Sequence, residues 1–139
     1  MCKLFLIIDI TDFDKLAMTL WGKKKIINKS WKKTPGRHLN ILLCLDKFLK
    51  QARMELKDLS GLVLLEGGGS FSGTRQAAAI LNTICLVEKI PVLGLDKRKY
   101  DDDWPKIIRD VERYFHQSRK DKFIKPIYNG EPNITMCQK

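Results

Sequence analysis

Three consecutive glycines, Gly67-Gly68-Gly69, stand between two apolar runs of different character. Gly61 to Leu65 comes before them, short and continuous. Ala77 to Val87 comes after, longer and rich in alanine. A short continuous run suits a strand covered on both faces, and a long alanine-bearing run suits a helix. The stretch Gly67 to Arg75 therefore reads as a strand-to-helix turn. Glycines there permit positive φ and let another backbone or a phosphate come close. The helix it launches would aim free N–H groups and the positive end of its dipole over the turn.

This turn nearly matches two nucleotide motifs and completes neither. Gly68 to Gly73 has the G-x-x-x-x-G spacing, but Thr74 stands where a phosphate-binding loop needs Lys. Arg75 stands where that loop needs its magnesium-binding hydroxyl, and a dinucleotide fingerprint would need glycine at Ser72. The alternative is a tight connection packed against something close. The candidate phosphate contacts are Asp9, Gly67, Gly68, Gly69, Ser70, Ser72 and Gly73. Asp9 ends an apolar run and suits either a metal–phosphate or a turn cap.

The rest of the chain supplies partners for that strand and helix. Lys3 to Ile10, Leu16 to Trp21 and Lys24 to Trp31 read as three antiparallel strands joined by short turns, one of them Gly22-Lys23. Leu39 to about Met54 is expected as a helix, with Ile41, Leu42, Leu45, Phe48, Leu49 and Ala52 on its apolar face. Pro91 to Leu95 is a fifth strand. A last helix spans Trp104 to Gln117, with Pro105 in its first turn, Asp101 to Asp103 ahead of it and an Ile107, Ile108, Val111, Phe115 stripe. Phe123 to Tyr128 is expected as a short closing strand, and 129–139 as a polar tail. The order is βββ-α-β-α-β-α, which implies an α/β domain with a mixed sheet of about five strands.

The helix after the turn has two apolar sides. Ala77, Ala78, Ile80, Leu81, Ile84, Cys85 and Val87 form a wide face for the sheet. Ala79 and Leu86 form a second strip, flanked by Arg75, Asn82 and Lys89 on one side and by Gln76 and Thr83 on the other. A helix apolar on two sides has two things to pack against. That points to a protein partner.

Composition adds one unusual quantity, a net charge of +10 from 26 Lys and Arg against 16 Asp and Glu. It favours an anionic partner such as RNA or an acidic protein face, or else reflects a lysine-rich solvated surface. Cys2, Cys44, Cys85 and Cys137 have no metal-type spacing; Cys44 and Cys85 sit in apolar helical patterns as small buried hydrophobes. Neither His38 nor His116 has a second ligand at helical spacing, so no metal site is expected. The first apolar run, Leu4 to Ile8, is too short for a signal peptide or a membrane span. A cytoplasmic protein without membrane contact is expected.

Five segments in order resemble the TsaB (YeaZ) family. Ile8-Asp9-Ile10-Thr11 is similar to its I-D-T-S, and Arg37-His38-Leu39 to its histidine before a leucine-rich helix. Gly67 to Arg75 is similar to G-P-G-S-F-T-G-L-R, with Gly68 for Pro and Ser72 for Thr. Ile90 to Gly94 is similar to I-P-L-V-G, and Pro126-Ile127-Tyr128 to a closing P-x-Y. The resemblance implies an actin-like ATPase (ribonuclease H-like) domain and a place in making threonylcarbamoyladenosine on tRNA. The family's second domain would fall where only Lys97 to Lys125 stand. A minimal single domain over 1–139 is therefore expected, unable to close a nucleotide cleft alone.

The resemblance further implies a non-catalytic subunit with no catalytic residue, intrinsic cofactor or metal. Its partner is a TsaD-like protein, paired through the first two helices. The implied interface is Leu39, Leu43, Phe71, Ser72, Arg75, Gln76, Ala79, Asn82, Thr83 and Leu86, with ATP or ADP at the junction with TsaD. A TsaE-like ATPase, tRNA within the complex and a homodimer are further candidate partners. The competing readings are a small nucleotide-binding phosphotransferase and a basic RNA-binding module. The first lacks the lysine its loop needs, and the second lacks a strand motif of stacking aromatics.

Overall fold

A computed structural model describes residues 3–22, 25–33, 39–68, 71–101 and 103–116. Three strands come first: β1 (Leu4–Asp9), β2 (Lys15–Gly22) and β3 (Lys25–Lys32). Helix α1 (Ile41–Gln51), strand β4 (Gly61–Glu66), helix α2 (Phe71–Glu88), strand β5 (Val92–Asp96) and helix α3 (Trp104–His116) follow. The βββ-α-β-α-β-α order and the mixed five-stranded sheet expected from the sequence are both present. Short 3-10 turns at Leu56–Asp58 and Lys97–Lys99 fill what read as plain links. The expected strand at Phe123 to Tyr128, the 129–139 tail and the turn at Lys23 lie outside the described residues.

The strands lie in the order β3-β2-β1-β4-β5. β3, β2 and β1 pair antiparallel, with Leu4 opposite Gly22 and Lys15 opposite Lys32. β1, β4 and β5 pair parallel, so Asp9 sits beside Leu65 and Glu66 beside Asp96. The side-chain period of two sorts β1 and β4 onto both faces. Leu6, Ile8, Leu62 and Leu64 join the core under α1 and α2; Phe5, Ile7, Val63 and Leu65 join the core under α3. The sheet is the middle of three layers, which explains why β4 is buried along its whole length.

Two local devices hold the helices in place. The Asn40 side chain accepts from the Leu43 N–H at 3.0 Å and caps α1. The helix thus begins at Ile41, two residues later than the apolar pattern suggests. On the other face, the Phe115 ring lies where a Cβ on Gly61 would be, 2.6 Å away. Only glycine at the start of β4 lets the end of α3 sit that low.

The apolar patterns overreached at two positions. Leu42, placed on the buried face of α1, is 53% exposed, and Cys44 fills that face instead. Val87, placed on the sheet side of α2, is 66% exposed. Both helices carry apolar arcs wider than the contact the sheet offers, and the sheet decides which part is covered.

Candidate functional site

The parallel strands β1, β4 and β5 all end on one side of the sheet. In open α/β sheets, ligands bind outside such carboxyl ends. Asp9, Glu66 and Asp96 end these strands, with the glycine turn and the start of α2 above them. Glu66 is buried and engaged by neighbouring groups.

Here the chain's own cations and backbone come close. One Asp9 oxygen accepts from the Thr11 N–H at 2.9 Å and from the Thr11 hydroxyl; the other accepts from Lys97 Nζ at 2.7 Å. These bonds cap the turn after β1 and tie it to a lysine 88 residues away. Arg98 grips Asp96 through Nε and Nη2, both at 2.9 Å, and through its backbone N–H. The Arg98 hydrogen bonds hold the Asp96 carboxyl below its ordinary range.

The glycines answer to the same neighbours. Gly67 has φ of 104°, and a Cβ there would overlap Asp96 Oδ1. A Cβ on Gly68 would come within 2.6 Å of the Thr11 carbonyl oxygen. Both close approaches are to this chain's own atoms. Gly69, Ser70 and the Phe71 side chain lie outside the described residues; Ser72 is exposed and Gly73 half-buried in the first turn of α2.

Among the described residues no cluster of His, Cys, Asp or Glu could hold a metal ion. Cys44 and Cys85 are buried, as expected, and burial pushes the Cys44 thiol up, away from the reactive thiolate. His116 is exposed at the end of α3, and His38 lies outside the described residues.

The second candidate surface is the outer side of α1 and α2. Ser72, Arg75, Gln76, Ala79 and Thr83 are exposed and Asn82 is half-buried, while Thr74, Ala77, Ala78, Leu81, Ile84 and Cys85 face the core. Leu86 is 69% exposed. Ser72, Arg75, Gln76, Ala79 and Asn82, with Ala78, line one depression of about 510 Å³. On α1, Leu43 is 49% exposed and Leu39 is half-buried just ahead of the helix. The sequence reading missed Leu42 and Val87, which enlarge the exposed apolar surface of these two helices. Its apolar count held the signal, since each helix has more apolar residues than one face can take. It also missed Arg98, for which Asp96 two residues earlier was the available sign, and Lys97, whose partner lies 88 residues away.

Three antiparallel strands, then two parallel ones wound through helices, with an aspartate after β1 and a glycine turn after β4, define an actin-like, ribonuclease H-like α/β domain. YeaZ from Pseudomonas aeruginosa superposes with a TM-score of 0.60 at 17% identity, over 73% of this chain and 50% of that one. A crystal structure described as an uncharacterized protein with similarity to peptidase YeaZ from Pseudomonas aeruginosa gives 0.59 at 20% identity, over 72% and 49%. In sequence, the chain is 32% identical over 95 residues to the tRNA threonylcarbamoyladenosine biosynthesis protein TsaB of Buchnera aphidicola subsp. Schizaphis graminum (strain Sg), covering 68% of this chain and 45% of that protein. The chain belongs to the TsaB (YeaZ) family. It spans about half the length of these relatives. No protein-family model matches it. Among the described residues no helix is long and apolar enough to cross a membrane.

Proposed function

We propose that this chain is a non-catalytic, TsaB-like subunit that pairs with a TsaD-like protein and so supports threonylcarbamoyladenosine formation on tRNA. The observation that carries the reading is the outer side of α2. Its inward face is filled by the core, yet Ala79, Leu86 and Val87 stay exposed beside the depression bounded by Ser72, Arg75 and Gln76. Small and apolar residues with a polar rim suit a helix-to-helix contact. Burying a leucine side chain such as Leu86 contributes roughly 1.5–3 kcal/mol.

The strand ends support an accessory role over a catalytic one. Lys97 holds Asp9, and Asp96 and Thr11 crowd the glycine turn. A nucleotide, ATP or ADP, would then sit at the junction with the TsaD-like partner. A TsaE-like ATPase and tRNA would join the assembled pair, with the +10 charge favouring the tRNA. Free, the chain would pair with a second copy through the same helices.

Co-purification with a TsaD-like protein, wild type beside Ala79→Arg/Leu86→Arg, tests this. The variant is expected to fold and to lose the partner, since both positions face solvent. Equal capture by the two would sink the interface. Magnesium-dependent ATP turnover by the isolated chain, abolished in Asp9→Ala, would replace this reading with a phosphotransferase.

A further inference from the structure

The two faces of the sheet are not covered alike. α1 and α2 share one core over the first face, a core that includes Leu16, Met18 and Leu20 of β2. On the second face, the core under α3 takes in Trp21 of β2 and, among the described residues, nothing from β3. A groove of about 580 Å³ lies there between β2, β3 and α3. On its floor Ala17 pairs with Ser30, Thr19 with Asn28 and Trp21 with Ile26. Trp104 and Ile108 of α3 form the other wall.

We propose that this groove binds a single-stranded segment of RNA, with a base against Trp104 and backbone phosphate on Lys15 and Lys32. The contact goes beyond the pairing proposed above, since it uses the sheet face opposite α1 and α2. Three observations choose that occupant. The first is charge. Lys15 lies directly opposite Lys32 on the groove face, two residues or roughly 7 Å beyond the Ala17–Ser30 pair. Both lysines are exposed, and among the described residues neither forms an ion pair. Like charges directly opposite each other destabilise a sheet, and a phosphate between them offsets that repulsion. The net charge of +10 adds attraction at longer range.

The second is a stacking surface. No single strand carries a row of aromatics, but folding brings two indoles, from β2 and α3, to one groove. α3 ends with Phe115 stacked on Phe5 at 5.1 Å, and Phe5 stacks on Trp21 at 6.1 Å. Trp21 therefore marks the end of the groove near the close of α3. Trp104, the first residue of α3, lies toward the lysine end and is 37% exposed. An indole face beside paired cations suits an unpaired base and its phosphate.

The third is the polarity of the floor. The Thr19 hydroxyl donates to Asn28 Oδ1 at 2.6 Å, which leaves the Asn28 amide nitrogen to donate to a ligand. Ser30 adds a hydroxyl beside it. An apolar protein segment would strip these groups of water without replacing its hydrogen bonds. An unpaired base brings donors and acceptors of its own.

Fluorescence anisotropy of a labelled single-stranded oligouridylate, titrated with the isolated full chain at several salt concentrations, tests the proposal. Binding is expected at low salt. Lys15→Gln/Lys32→Gln is expected to weaken it and to make the slope of log K against log salt shallower by about 1.4. Trp104→Ala is expected to weaken it about 5- to 150-fold, with Trp104→Phe restoring most of the loss. Lys47→Gln/Lys57→Gln removes the same charge at exposed positions away from the groove and is expected to leave the groove contact in place. Equal weakening by the two lysine pairs would overturn the assignment, as would an unaltered affinity in Trp104→Ala. No binding at low salt, or a duplex of the same length bound as tightly as the single strand, would overturn it as well.

Discussion

Gly67→Ala tests whether the glycine turn is shaped by the chain's own packing. Gly67 has φ of 104°, outside the regions open to side-chain-bearing residues. Holding alanine there costs about 1–3 kcal/mol. The new Cβ would also overlap Asp96 Oδ1. That oxygen does not swing away freely, because Arg98 holds it through its backbone N–H at 3.0 Å and Nε at 2.9 Å. Overpacking of this kind costs about 1–3 kcal/mol. The stiffer unfolded chain returns only about 0.4–1 kcal/mol. The net expectation is a loss of about 3 kcal/mol, a large share of the roughly 5–15 kcal/mol of a typical domain. With a urea slope of about 1.5 kcal/mol/M, the midpoint falls by about 2 M.

Adding Asp96→Ala separates the two causes. It removes the obstacle but leaves the dihedral strain, so the double variant is expected to be less destabilised than the sum of the singles by about 1–3 kcal/mol. A Gly67→Ala protein within about 0.5 kcal/mol of wild type would refute the account of this turn. Additive singles would leave the strain and refute the overlap.

Two further outcomes follow from burial and charge. Leu81 is fully buried on α2, so Leu81→Ala is expected to cost about 2–5 kcal/mol in urea unfolding; Leu86→Ala, on the exposed side of the same helix, should stay within about 0.5 kcal/mol. The Tyr100 phenol is pushed from its ordinary value up to about 12 by partial burial and by its hydrogen bond to the Asp110 carboxylate at 2.7 Å. Its folded value is the higher one, so its share of stability is complete below pH 10 and is lost as pH rises from 10 to 12. Phenolate absorbance compared with Tyr100→Phe should place this group's titration at the upper end, and ionisation at an ordinary value would refute the hydrogen-bonded pair.

Much of the fold could be read from local pattern. Strand β4, the glycine turn and α2 were placed because a short buried run, φ-permissive residues and a long alanine-bearing run each act over a few residues. The three early strands and the proline-opened α3 were found the same way. Of the candidate site, the outward positions Ala79 and Leu86 were found because helical periodicity separates them from Leu81 and Ile84. Leu42 and Val87 were misplaced, since periodicity orders a helix face but does not say how wide a sheet will cover it.

The sequence alone determined the order of the elements, the sharp turn at Gly67 and the two-sided character of α2. These rest on backbone freedom and residue spacing, which act within one or two turns of chain. Only the tertiary structure decided what the turn encloses. Folding brings Lys97 to Asp9 across 88 residues and lays Asp96 against Gly67. No local pattern encodes such a pairing, because it exists only once β1, β4 and β5 lie side by side and their ends meet.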